Sequence, residues 1–130
     1  MKNIKDVTGT PGVYGVYGIY LKDGTLLYVG QTQRNVTIRW NEHKSRLLKG
    51  THENKTLQKY FINNNLSIDD LEFKLLHQTK CKSKFNLETA ETIIILLEKP
   101  LCNKPAIRVG RCWKVYNDNP IVCREILKYL

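Results

Sequence analysis

Long apolar runs are missing from this chain. The longest, Ile93 to Leu97, is far shorter than the roughly 20 residues a membrane-spanning helix needs, so it marks only a buried element. The opening residues, MKNIKDVTG, contain no apolar stretch of the kind a secretion signal carries. Acidic residues are scarce, with 12 Asp and Glu against 21 Lys and Arg, a formal charge of +9. A small domain with that excess attracts polyanions, of which nucleic acid is the commonest, although basic charge can also serve solubility alone. None of the four cysteines, Cys81, Cys102, Cys112 and Cys123, stands at CxxC spacing or in a Cys/His cluster, which excludes a zinc site. Without a secretion signal they read as reduced core thiols of a cytoplasmic protein. Low-complexity tracts are absent too, and the one repetition is a local Gly-Val/Ile-Tyr triplet. The 130 residues suffice for one core.

Residues 12–31 read as a β-hairpin, because GVYGVYGIYL and TLLYVGQ are β-prone and Asp23-Gly24 lies between them. Helices fit 37–49, with Thr37 as cap and Gly50 as stop, 54–63, and 87–98, with Asn86 as cap and Pro100 beyond the end. LEFKLLH (71–77) alternates as a strand does. The stretch 107–116 fits one strand or a broken hairpin, and a short helix fits about 120–130. The expected fold class is α/β in the α+β sense: a small mixed or antiparallel three-stranded sheet, opened by the hairpin and flanked by helices. Residues 1–105 form the expected domain, and 106–130 a short extension packed on it.

The hairpin register follows from the turn. If Asp23-Gly24 is a two-residue turn, Lys22 faces Thr25 and Ile19 faces Tyr28. Tyr17 then shares a face with Tyr28 as a diagonal cross-strand pair, while Tyr14 and Tyr20 point the other way. A bulge at any glycine would shift that parity. On composition alone these tyrosines read as β-prone filler.

Their company changes the reading. Gly15-Val16-Tyr17 is followed after ten residues by Tyr28-Val29-Gly30, then by Arg39-Trp40-Asn41-Glu42-His43, then by Glu91, Pro100 and Asn103. In this order the chain resembles the GIY-YIG nuclease family over residues 11–105. The triplet occurs three times, ending in Tyr14, Tyr17 and Tyr20, and spacing and face both select Tyr17. The stretch Gln31 to Ile38 is about one residue longer than in relatives. Arg34 is therefore an alternative to Arg39, and His43 one turn on points to Arg39.

The resemblance implies a metal-dependent endonuclease acting on DNA. Phosphodiester hydrolysis needs an activated water, charge neutralisation at the phosphate, and help for the leaving oxygen. Glu91 lies among Leu87, Ile94 and Ile95 at helical spacing, where a carboxylate is costly unless paired or bound to a cation. A hard ion (Mg²⁺ or Mn²⁺, one per site) suits it, and a core ion pair would also suit it. Arg39 is the expected phosphate clamp. Tyr17 is the expected general base and Tyr28 its phosphate-contacting partner. His43 relays a proton or holds a tyrosine. Asn103 holds the wall of the site or contacts the phosphate, and Gly30 allows a close backbone approach. Lys44 and Arg46 are the expected backbone contacts beside the site. His52 and His77 have no motif support. Sequence preference would come from loops, the C-terminal residues, a homodimer on DNA or a partner.

Overall fold

The computed structural model describes residues 13–103 and 120–130. In chain order these form β1 (Gly15–Leu21), β2 (Leu26–Thr32), α1 (Val36–Lys49), α2 (Lys55–Asn63), a 3-10 turn (Ile68–Asp70), β3 (Leu71–His77), α3 (Lys84–Glu98) and α4 (Pro120–Tyr129). The expected strand at 107–116 and Cys112 lie outside the described residues. The three strands make one antiparallel sheet in the order β2-β1-β3. This is the small α+β fold the pattern predicts.

Strand alternation builds a core on each face of the sheet. Tyr17, Ile19 and Leu27 pack with Trp40 and Leu47 of α1 and Leu57 and Phe61 of α2. Val16 and Val29 point the other way, onto Ala90, Ile94 and Ile95 of α3. Leu127 and Leu130 pack against that second cluster. The apolar run at 93–97 is thus a stretch where α3 is buried nearly all round, from Ile93 to Leu96. Cys102 and Cys123 are buried, but Cys81 is exposed, which corrects the core reading for that residue.

The hairpin turn differs from the expected one. A two-residue turn of the favoured hand needs positive φ at both Asp23 and Gly24. Here Gly24 has φ +94° and Asp23 is not among the positive-φ residues. The Gly24 amide donates to the Leu21 carbonyl at 3.0 Å and the Leu21 amide to the Thr25 carbonyl at 2.8 Å. Leu21, not Lys22, therefore stands opposite Thr25 across a three-residue loop. Tyr20 pairs with Leu26, a bulge intervenes, and Ile19 pairs with Tyr28. The extra loop residue and the bulge each shift the register by one, so beyond Ile19 the register is the expected one.

Helix caps explain the other boundary differences. Asn35, not Thr37, caps α1 by accepting from the Thr37 amide at 2.8 Å. Ser83, not Asn86, caps α3 by accepting from the Asn86 amide at 3.1 Å, so the helix starts at Lys84. Gly50 ends α1 at φ 73° as expected, and the Thr51 amide folds back to the Arg46 carbonyl at 2.9 Å.

Gly24→Ala tests the loop. An added Cβ would meet nothing within 4 Å, so its cost is the left-handed conformation alone. The expected loss is about 1 kcal/mol, read as a lower denaturant midpoint with an unchanged slope.

Candidate active site

Tyr17 is fully buried on the α1 face, and its hydroxyl is where the site converges. Tyr17 pairs with Gly30 across the β1–β2 ladder, and its ring lies over that glycine. A Cβ on Gly30 would come within 2.6 Å of the Tyr17 hydroxyl oxygen. The missing side chain thus lets the phenol reach over β2, the edge strand. Gly30 hosts the tyrosine ring rather than a turn. The Tyr28 ring is 6.5 Å from that of Tyr17, a pair on one face as the register requires. The other two triplet tyrosines go elsewhere: Tyr14 donates to the Thr79 carbonyl at 2.8 Å, and Tyr20 lies under Lys74 Nζ at 4.7 Å.

A chain of rings with one direction ends on Tyr17. The Asn54 backbone N–H, which can only donate, is 3.0 Å from His52 Nδ1. A neutral His52 therefore carries its proton on Nε2 and donates to His43 Nδ1, 2.6 Å away. His43 in turn has its proton on Nε2 and donates to the Tyr17 hydroxyl oxygen at 2.5 Å. Both rings are neutral near pH 7. Burial first, then Arg39 and His52, push His43 down to about 3. Burial also lowers His52. The two rings stack at 4.9 Å, an arrangement set by the chain reversal after Gly50. His43 therefore holds the tyrosine, and His52 is a member of this cluster that the motifs do not reveal.

Arg39 approaches the same hydroxyl. Burial pushes the Tyr17 phenol well above its ordinary range and Tyr28 adds to that, while Arg39 pulls it down and Glu91 pushes it up. Arg39 is 17% exposed, against 57% for Arg34. It pairs with Glu42 at 3.2 Å and Glu53 at 2.5 Å. Glu42 also binds Arg34 at 2.6 Å, and Glu53 binds Arg46 at 2.9 Å, giving an alternating row of three arginines and two glutamates. Burial raises the Glu53 carboxyl, but the hydrogen bond and charge of Arg39 and its other partners hold it down at about 2. Glu53 is a second residue that the motifs did not reveal. Arg46 lines an open groove along α1 with Asn41, Ser45 and Lys49.

Glu91 is half-buried on α3 beside buried Leu87, Ile94 and Ile95, and its charge is the smallest of the influences on the Tyr17 phenol. Among the described residues, no three His, Cys, Asp or Glu side chains gather to cage an ion. The donor set fits a cation held by one carboxylate together with water and substrate oxygens. Asn103 is fully engaged with β2: its Oδ1 accepts from the Val29 amide at 2.7 Å and its Nδ2 donates to the Val29 carbonyl at 3.0 Å. It fixes the strand between Tyr28 and Gly30. Lys44 lies over the Phe73 ring of β3 at 5.3 Å, apart from the arginine row. His77 has a buried Nε2 without a partner among the described residues and takes no part in the chain of rings.

Residues 13–105 match the GIY-YIG catalytic domain, and the chain belongs to the GIY-YIG family. The fold is also similar to the solved catalytic domain of the homing endonuclease I-TevI, with a TM-score of 0.57 and 24% identity, covering 67% of this chain and 89% of that one. No curated protein matches the chain.

Stability should fall in acid. His43 titrates at about 3 when folded, against roughly 6.5 when unfolded. The unfolded chain therefore binds more protons between those values. Stability is complete above about 6.5 and is lost as pH falls toward 3. At pH 5 His43 alone costs about 2 kcal/mol, and the lowered His52 and Glu53 act with the same sign. Denaturant midpoints at pH 7 and pH 5 check this, and His43→Gln should lose the share due to His43.

Proposed function

We propose that this chain is a divalent-metal-dependent endonuclease that hydrolyses DNA phosphodiester bonds. One observation carries the reading: a buried phenol, Tyr17, receives a hydrogen bond from His43 and lies beside Arg39 and the Tyr28 ring. Membership of a catalytic family supports nuclease activity in general, and the net charge of +9 supports a polyanionic substrate.

The residues divide the chemistry. Arg39 grips two phosphate oxygens once they displace Glu53 and Glu42, the carboxylates that hold the guanidinium in place beforehand. The His43 N–H occupies one lone pair of the Tyr17 oxygen, which turns the phenolic proton away from His43. Tyr17 takes the water proton as a phenolate, after its own proton has passed to bulk water, an ionisation that burial opposes, Arg39 favours and the Glu91 charge opposes. A cation such as Mg²⁺ or Mn²⁺ at Glu91 supplies positive charge that favours the phenolate and neutralises the phosphate. Tyr28, beside Tyr17 and 5.4 Å from the His43 ring, is the proposed second phosphate contact. Asn103 keeps β2 in register beneath these groups. Arg46 and its groove extend the phosphate-binding side along α1, whereas Lys44 contributes only at longer range.

Plasmid nicking with added Mg²⁺ tests the reading. Wild type should cut, and Glu91→Gln should bind DNA without cutting. Tyr17→Phe should lose about 10²- to 10⁴-fold in rate, the usual value of a positioned acid–base group. Gly30→Ala should cost about 10²-fold by displacing the ring, with some loss of stability. Wild type that binds DNA but never cuts would make this a binding module instead.

A further inference from the structure

We propose that the connection from β3 into α3, Lys80-Cys81-Lys82-Ser83-Lys84-Phe85, is a second DNA-contact ridge gripping the backbone beside the cleavage site. The proposal rests on the nuclease reading above and adds to it a surface outside the catalytic cluster.

Composition is the first argument. All three lysines are exposed, and Phe85 is 76% exposed at the start of α3. Lys80 and Lys82 form no ion pair with a described residue, and Lys84 has only a long contact to Glu88 at 3.9 Å. Solubility accounts for lysines but not for a bare phenylalanine among them. A protein partner fits poorly, because protein interfaces are depleted in lysine. Alternating cations with an apolar ring suit phosphates with deoxyribose and base edges between them.

Rigidity is the second argument. The Thr79 hydroxyl donates to the Cys81 carbonyl at 2.5 Å, and the Thr79 carbonyl accepts from Tyr14 at 2.8 Å. The Lys80 amide donates to the Leu130 carbonyl at 2.5 Å. Lys82 Nζ lies 5.4 Å from the centre of the Tyr14 ring, and Ser83 caps α3. An exposed segment with so many anchors presents its charges already ordered, which lowers the entropy cost of binding.

Position is the third. Gln33 donates to the Lys82 carbonyl at 3.0 Å and so ties the ridge to the loop before α1. The next residue, Arg34, shares Glu42 with Arg39. Phe85 precedes Glu91 by six residues on α3, about 9 Å along the helix axis. The ridge therefore adjoins the Arg34 end of the arginine row.

The test is binding of a labelled DNA duplex by the full chain, in chelator, over a range of salt. The triple variant Lys80→Gln/Lys82→Gln/Lys84→Gln should lower the slope of log affinity against log salt by about 2 to 3. Phe85→Ala should weaken binding about fivefold or more with the slope unchanged, since it removes contact but no charge. Both variants should melt as wild type does. Wild type that binds in chelator and nicks plasmid with added Mg²⁺ while the triple variant keeps its slope overturns the ridge alone. Unchanged affinity in Phe85→Ala overturns the part given to the ring. Wild type that binds no DNA overturns the nuclease reading and the ridge with it.

Discussion

The hydrogen bond between His43 and the buried Tyr17 hydroxyl is the contact on which the rest of the site depends. A phenol without exposure needs a partner for its oxygen, and this partner is itself a neutral ring held by a second ring. The direction of the chain comes from a backbone amide, which cannot reverse roles. The fold serves this contact at each step. The bulge restores the register that puts Tyr17 beside Gly30, the glycine makes room for the ring, and the Gly50 cap returns the chain so that His52 covers His43.

Charge is arranged around that contact in two tiers. Close to the hydroxyl, burial and the neighbouring Tyr28 phenol keep Tyr17 protonated, Arg39 lowers the cost of a phenolate, and Glu91 adds a smaller opposing charge. Further out, Glu42 and Glu53 hold three arginines in a row. The inner guanidinium has little exposure and would be costly without carboxylates beside it. The outer pairs are solvated and add little stability. The row is therefore better understood as orientation: phosphate oxygens can take the places the two carboxylates occupy.

Much of this was legible in the residues, and for physical reasons. Period-2 alternation placed β3 at 71–77 and put Tyr17 and Tyr28 on one face, although the turn that delivers the register is not the one the Asp-Gly pair implies. Helical spacing put Arg39 and His43 one turn apart on α1, both beside Tyr17. Caps were misplaced by two or three residues because Asn35 and Ser83 compete with equally plausible neighbours. His52 and Glu53 were not legible, since their place depends on a chain reversal rather than on spacing. Asn103 reads as a polar site residue in sequence, but its amide is spent on both backbone groups of Val29, a pairing that only the edge position of β2 makes available.

The most direct measurement is the tautomeric state of His43 and His52, by nitrogen-15 NMR of the imidazole rings at pH 7. Both rings should be neutral and protonated on Nε2, with the His43 proton directed at the Tyr17 oxygen. A proton on Nδ1 of either ring, or an imidazolium at His43, would contradict this, because the chain could then no longer end by donating to Tyr17.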